Sequence, residues 1–419
     1  MYALIDGNTF YASCERVFQP RLNNRPVVVL SNNDGCIVTL TKEAKKLGLK
    51  RGMPLFQVKE IVDRNGVEVF SSNYELYGDM SRRMMETISS LVPAIHVYSI
   101  DECFAILDGM SDLTNLGHKI RARVLQWVGI PTCVGIAPTK TLAKFCNHLA
   151  KHYPGLKGVL NWNDLTPDRQ RKAMSLEPVG EVWGIGARLS ERLNRLGIRT
   201  VLDLINYPIS KLRAFFPITL IRTVQELKGI EAIDFEDDTQ TRQQIVRSRS
   251  FANEVSDLDQ LQSAIAMHAE EAARVLRKEK LMCQSISVLI YSNRFKPEAG
   301  IHYSYETQVL SNSVNDTSTI RTIASKLVKH AYKKGIGYKK AGVVLQGLEK
   351  ESEVTLDLFS AMESERKQKL SSVMDALNHR WGKGTLTSAL VNSPKADWKM
   401  KRERLSRAYT TRLSDILVV

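Results

Sequence analysis

Tyr2-Ala3-Leu4-Ile5-Asp6, running through Gly7 into Asn8-Thr9-Phe10-Tyr11-Ala12-Ser13-Cys14-Glu15, is the stretch that decides the architecture. An apolar run closed by an acid reads as a buried strand with a carboxylate at its tip, a costly placement unless something cationic faces it. The residues that follow start a helix and carry the aromatic pair Phe10 and Tyr11 towards the same point. A second acidic element, Tyr98-Ser99-Ile100-Asp101-Glu102, sits between two runs that read as a hairpin, 95–100 and 103–107, with Asp101 and Glu102 at its turn. Converging carboxylates at Asp6, Asp101 and Glu102 suit two divalent ions about 4 Å apart, the arrangement for in-line phosphoryl displacement. Oxygen donors without Cys or His favour Mg²⁺.

The composition agrees with that chemistry. At 419 residues the chain exceeds one compact core, so three or four domains are expected. Its 59 Lys and Arg against 45 Asp and Glu, a net charge of +14, favour a polyanionic partner, with nucleic acid first. No long apolar stretch or signal core is seen, so no membrane association and a cytoplasmic, nucleoid-associated location are expected. The six cysteines lack Cys-x-x-Cys spacing and read as small core residues in a reducing compartment. The eight histidines are read as forming no His-x-x-x-His or His-Cys cluster, and so as surface or packing residues, not ligands.

Residues 1–165, extending to about 185, alternate short strands (27–30, 67–70) with helical patterns, including 41–49 ending near Gly48. A helix with Met80, Met84, Ile88 and Leu91 on one face follows. This is a mixed sheet with packed helices, an α/β palm. Residues 166–240 turn helix-rich around Val182-Trp183-Gly184-Ile185-Gly186. A Gly-x-Gly turn between short helices frees backbone N–H groups for a phosphate, so Gly184 and Gly186 are candidate DNA contacts in a helix-hairpin-helix. Residues 241–350 read as strand 245–251, helix 258–277, strands 286–291 and 303–309, helix 320–332 and strand 341–348, a small α+β sheet with two helices on one face. Arg242, Arg247, Arg249, Arg294 and Lys296 give that unit a basic character able to line a duplex; Arg247 and Arg249 are its candidate DNA contacts. Residues 351–419, part apolar and part basic, read as a partner-binding extension or a solvated tail.

The elements around Asp6, Ser99–Glu102 and Val134-Gly135-Ile136-Ala137 leading into Thr139-Lys140-Thr141-Leu142-Ala143-Lys144 resemble those of Y-family translesion DNA polymerases. The runs Ser31-Asn32-Asn33-Asp34-Gly35-Cys36, Ser71–Tyr77, Ser248-Arg249-Ser250-Phe251 and Tyr409-Thr410-Thr411-Arg412 are similar to the UmuC-type catalytic subunits of bacterial DNA polymerase V, and the likeness covers nearly the whole chain. It implies a right hand of palm, small fingers, helix-hairpin-helix thumb and little finger, with a C-terminal extension. Asp6 and Asp101 would bridge two Mg²⁺ ions, Glu102 would hold the ion beside the primer 3′-hydroxyl, and the Gly7 carbonyl would complete the set. Tyr11 falls at the steric gate against the sugar C2′. Lys151, Lys45 and Thr39 fall at triphosphate-binding positions. Leu356, Leu358 and Phe359 match a sliding-clamp motif in which Thr355 replaces Gln.

The implied activity is error-prone, template-directed dNMP transfer to a primer 3′-hydroxyl during the SOS response to DNA damage. The implied partners are primer-template DNA, dNTP, a processed UmuD-type dimer, a RecA filament and the sliding clamp. A nuclease or cyclase on a similar palm needs neither a steric gate nor a basic little finger. A non-catalytic DNA-binding SOS regulator keeping the scaffold needs no carboxylate set.

Overall fold

Strand β1 (Tyr2–Gly7) is buried on both faces, which its unbroken apolar run requires. It lies at the centre of a five-stranded sheet in the computed structural model, which describes residues 1–234, 242–295, 300–353, 361–382, 384–391 and 400–416. The chain divides into two units, Met1–Glu236 with Glu403–Val419, and Asp237–Arg402.

In the first unit, α1 (Phe10–Phe18) follows β1, and β2 (Val27–Leu30), β3 (Ile37–Leu40), α2 (Lys42–Lys46), α3 (Leu55–Arg64) and β4 (Glu68–Ser71) form a small fingers layer in the order β3-β2-β4. The expected helix at 41–49 is shorter, capped by the Thr41 side chain on the Ala44 N–H. The chain returns through α4 (Tyr74–Ser89), β5 (Ala94–Val97), β6 (Glu102–Ile106), α5 (Leu113–Val128), β7 (Thr132–Ala137), α6 (Lys140–His152) and β8 (Val159–Asn161). The palm sheet runs β5-β6-β1-β7-β8. Ala3 and Ile5 share a core with α1, α4 and α5, whereas Leu4 packs with Leu142, Ala143, Cys146 and Leu149 of α6, so helices cover both faces.

Gly135 makes the α6 contact possible. A Cβ there would lie 2.2 Å from both the Ala143 carbonyl oxygen and the Asn147 nitrogen, so only glycine lets the helix sit this close to β7. Asn147 fills the seam and donates to the Leu4 and Cys133 carbonyls at 3.1 and 2.8 Å. The helices α7 (Pro167–Leu176), α8 (Ala187–Arg195), α9 (Val201–Asn206), α10 (Ile209–Phe215) and α11 (Ile218–Leu227) join the same core on the α6 side.

The second unit is an antiparallel sheet, β11-β10-β12-β9, built from β9 (Gln244–Val255), β10 (Leu281–Ser292), β11 (Tyr303–Val314) and β12 (Tyr338–Lys350). Helices α12 (Leu258–Lys278) and α13 (Thr317–Ala331) pack together in its core, in the strand and helix order read from the sequence. Helix α14 (Ala361–Trp381) is tied to it where Arg277 grips both oxygens of Asp375 at 2.7 and 3.0 Å. One expectation is corrected here: 351–419 is not a single extension. Residues 403–416 belong to the first unit, held to the edge of β4 by Ser71 N–H donating to the Arg404 carbonyl at 2.9 Å and Arg404 N–H donating to Ser71 Oγ at 3.0 Å. Lys296, Thr355, Leu356, Leu358 and Phe359 lie outside the described residues. No helix among the described residues is long and apolar enough to cross a membrane.

Candidate active site

The antiparallel register sets Asp6 directly opposite Glu102 on β6, and Gly7 N–H donates to the Asp101 carbonyl at 2.8 Å. Glu102 therefore opens a strand, and Asp101 alone occupies the bend expected to hold both. Strand alternation puts Asp6 on the Leu4 side of the sheet, where α6 lies. From that helix Lys151 Nζ reaches Asp6 Oδ2 at 2.5 Å and Lys144 Nζ reaches Glu102 Oε2 at 2.9 Å. The cationic counterparts demanded by a carboxylate at a buried strand tip are thus supplied one helix away.

Asp6 and Glu102 face each other across the two strands, so each carboxyl acts on the other. Burial first, and then the facing Glu102 carboxyl, push Asp6 above the usual carboxylate range, against the opposing pull of Lys151. Burial also works upward on Glu102, but the facing Asp6 and the Lys144 ammonium hold it below that range. Asp101 lines the same cleft as this pair, its Oδ1 accepting from Ser99 Oγ at 2.7 Å. Among the described residues, no three His, Cys, Asp or Glu side chains are gathered into a metal cage. The three acids expected to converge line one cleft, with Asp6 and Glu102 facing each other across β1 and β6. Like charges this near repel unless a proton or cation lies between them, so the all-oxygen donor set fits a divalent cation in charge and type.

These groups line an open cleft of about 1560 Å³, which also takes in Gly7, Tyr11, Thr39 and Lys45. Lys42, Lys50, Arg51 and Lys157 add positive charge to its walls. Gly7 is held tightly, since a Cβ there would come 3.0 Å from the Phe10 ring. The Tyr11 ring stacks on Tyr77, centroids 4.4 Å apart and 14° from parallel, and meets Tyr74 edge-on at 6.1 Å. Burial raises the Tyr11 hydroxyl above its ordinary range, with the neighbouring Tyr74 adding to the shift.

Three features escaped the sequence reading. Lys144 sits over the Tyr98 ring at 4.5 Å and the Trp183 ring at 5.3 Å, and Trp183 Nε1 donates to the Tyr98 hydroxyl at 3.2 Å, so the segment before α8 props the Glu102 partner. The histidine reading needs correction, because His148 and His152 are one helical turn apart with ring centroids 4.2 Å apart, and His148 Nε2 lies 2.8 Å from Glu177 Oε2. Arg247 and Arg249 fall at two-residue spacing between Ile245 and Phe251, which are buried, so all four share one face and the arginines sit on the helix-covered side of the edge strand β9, near His268. Gly184 takes a left-handed φ of 86° and Gly186 precedes α8 without a side-chain cap, leaving the first N–H groups of that helix open.

Residues 5–148 match the impB/mucB/samB family, residues 242–358 the C-terminal domain of that family, and residues 368–419 a domain of unknown function. Protein UmuC of Salmonella typhimurium is 43% identical, with 100% of both chains covered. Protein MucB of Escherichia coli is 41% identical over 98% of this chain and 97% of its own. DNA polymerase IV of Oceanobacillus iheyensis is 26% identical over 92% and 90%. Among solved structures, a chimera of the Y-family DNA polymerases Dbh and Dpo4 gives a TM-score of 0.67 at 21% identity, over 83% of this chain and 99% of that one, a likeness of fold.

The fold is that of the Y-family DNA polymerases, and the relatives make the chain a DNA-directed DNA polymerase. The chain belongs to the impB/mucB/samB family and performs translesion DNA synthesis.

Proposed function

We propose that the cleft transfers dNMP to a primer 3′-hydroxyl with Asp6, Asp101, Glu102 and the Gly7 carbonyl holding two Mg²⁺ ions. The observation that carries this reading is the Asp6–Glu102 pair, opposed across β1 and β6 and flanked by Lys151 and Lys144. Ions bound there would lower the pKa of the primer hydroxyl and neutralise triphosphate charge. Lys151 and Lys45 offer point charges, and Thr39 a hydroxyl, to the triphosphate. Tyr11 lies against the sugar and excludes a 2′-hydroxyl.

Gly184 and Gly186 present N–H groups to a DNA phosphate. Arg247 and Arg249 contact the backbone only at the edge of β9, given the face they occupy. Leu356, Leu358 and Phe359 engage a sliding clamp. A processed UmuD-type dimer and a RecA filament are the regulatory partners of a cytoplasmic, error-prone enzyme induced by the SOS response. Primer extension across an abasic template with purified protein, with and without Mg²⁺ and those partners, tests the reading; no extension in any combination would sink it.

A further inference from the structure

The segment 403–416 returns to the first unit at the back of the ring cluster that faces the cleft. Tyr77, on which Tyr11 stacks, is fully buried, and its hydroxyl donates to Glu15 Oε1 at 2.7 Å. Ser406 Oγ donates to the same oxygen at 3.0 Å, across 391 residues of sequence. Glu15 is itself 0% exposed and its Oε2 has no hydrogen-bond partner among the described residues, so Tyr77 and Ser406 are its two side-chain donors. Asn73 ties the same serine to α4. Its Oδ1 caps the helix by accepting from Leu76 N–H at 3.2 Å, while its Nδ2 donates to Ser406 Oγ at 3.0 Å. Farther along, Tyr409 stacks on Phe18 of α1 with centroids 4.8 Å apart and planes within 5°.

Both helices that carry the ring cluster, α1 with Tyr11 and α4 with Tyr74 and Tyr77, are therefore pinned by one distant strap. We infer that this strap, through Ser406, is a positioning element for Tyr11, and that it sets how strictly the enzyme tells deoxyribonucleotides from ribonucleotides. The inference rests on the reading of Tyr11 as the residue against the sugar. The chain of force is short: Ser406 helps fix the Glu15 carboxyl, Glu15 fixes the Tyr77 hydroxyl, and the Tyr77 ring is the floor under Tyr11. A ring held from below by a fixed neighbour has one orientation; loosened, it yields to a 2′-hydroxyl. This assigns part of a domain of unknown function, residues 368–419, to substrate selection.

Single-turnover extension by the full-length protein, with dNTP and rNTP measured separately, tests this in Tyr11→Ala, Ser406→Ala and Ser406→Thr, with melting temperature followed in parallel. Ser406→Ala is expected to reduce sugar discrimination about three- to tenfold, the worth of one hydrogen bond, chiefly by faster rNTP incorporation. Ser406→Thr keeps the hydroxyl and is expected to restore discrimination. If Tyr11→Ala relaxes discrimination while Ser406→Ala changes melting temperature alone, or dNTP and rNTP rates alike, the strap is only structural and the inference is overturned with the Tyr11 reading intact. If a folded Tyr11→Ala leaves discrimination unchanged, the Tyr11 reading fails and takes the inference with it. Tyr77→Phe, which removes only the hydroxyl that Glu15 fixes, gives an independent second variant expected to follow Ser406→Ala.

Discussion

Lys151 Nζ lies 2.5 Å from Asp6 Oδ2, so the helix that packs on Gly135 delivers a cation to the carboxylate at the tip of the central strand. The pairing explains how an acid at a buried strand end is tolerated in the folded chain, and it places an ammonium group at the wall of the cleft.

Lys151→Met should raise the KM for dNTP by about ten- to a hundredfold, the scale of a lost charge-assisted hydrogen bond. Primer-template affinity should change little, because DNA binding is spread over many phosphate contacts. Steady-state kinetics beside fluorescence-anisotropy DNA titration separates the two; an equal loss of both affinities would deny Lys151 a nucleotide role.

Gly135→Ala should destabilise the first unit by about 1–3 kcal/mol or more, since the new methyl collides with helix backbone, not with a movable side-chain tip. Thermal melting followed by tryptophan fluorescence reads this, Trp162 and Trp183 both packing into the α6 core. An unchanged melting temperature would mean that α6 is free to slide on β7.

Burial raises Glu15 from the ordinary glutamate range to about 7, against the lowering pull of the Tyr77 and Ser406 hydroxyls. The folded state thus binds the proton more tightly than the unfolded chain. Its contribution is fully present below about pH 4.5 and is lost as pH rises through about 7, a change of order 3 kcal/mol. Glu15→Gln keeps an acceptor for both hydroxyls and should flatten this dependence. Urea unfolding at pH 5, 6, 7 and 8 checks it, and parallel curves for the two proteins would refute the assignment.

The palm was legible because a buried strand with an acid at its tip has few meanings, and the little finger because its strands and helices keep clean periodicities. What stayed hidden depends on tertiary geometry. Helix α3 buries only Val58 and Val62 and leaves Phe56 exposed, so its stripe is too thin to read. Ser406 carries no local signal, since its partners Glu15 and Asn73 lie more than 300 residues away. The face of Arg247 and Arg249 was present in the two-residue spacing they share with Ile245 and Phe251, but net basic charge drew attention from it. The Ser99 hydroxyl that donates to Asp101 was likewise hidden, because sequence shows the acid and not its hydrogen-bond partner.

The most direct test of the central claim is single-turnover primer extension on undamaged and abasic templates by wild type, Asp101→Asn and Glu102→Gln, with folding checked by circular dichroism. Losing a metal-holding carboxylate should lower the rate of nucleotide addition about a hundred- to a thousandfold while primer-template binding persists. Near-wild-type extension by both folded variants would contradict the assignment of this carboxylate group to catalysis.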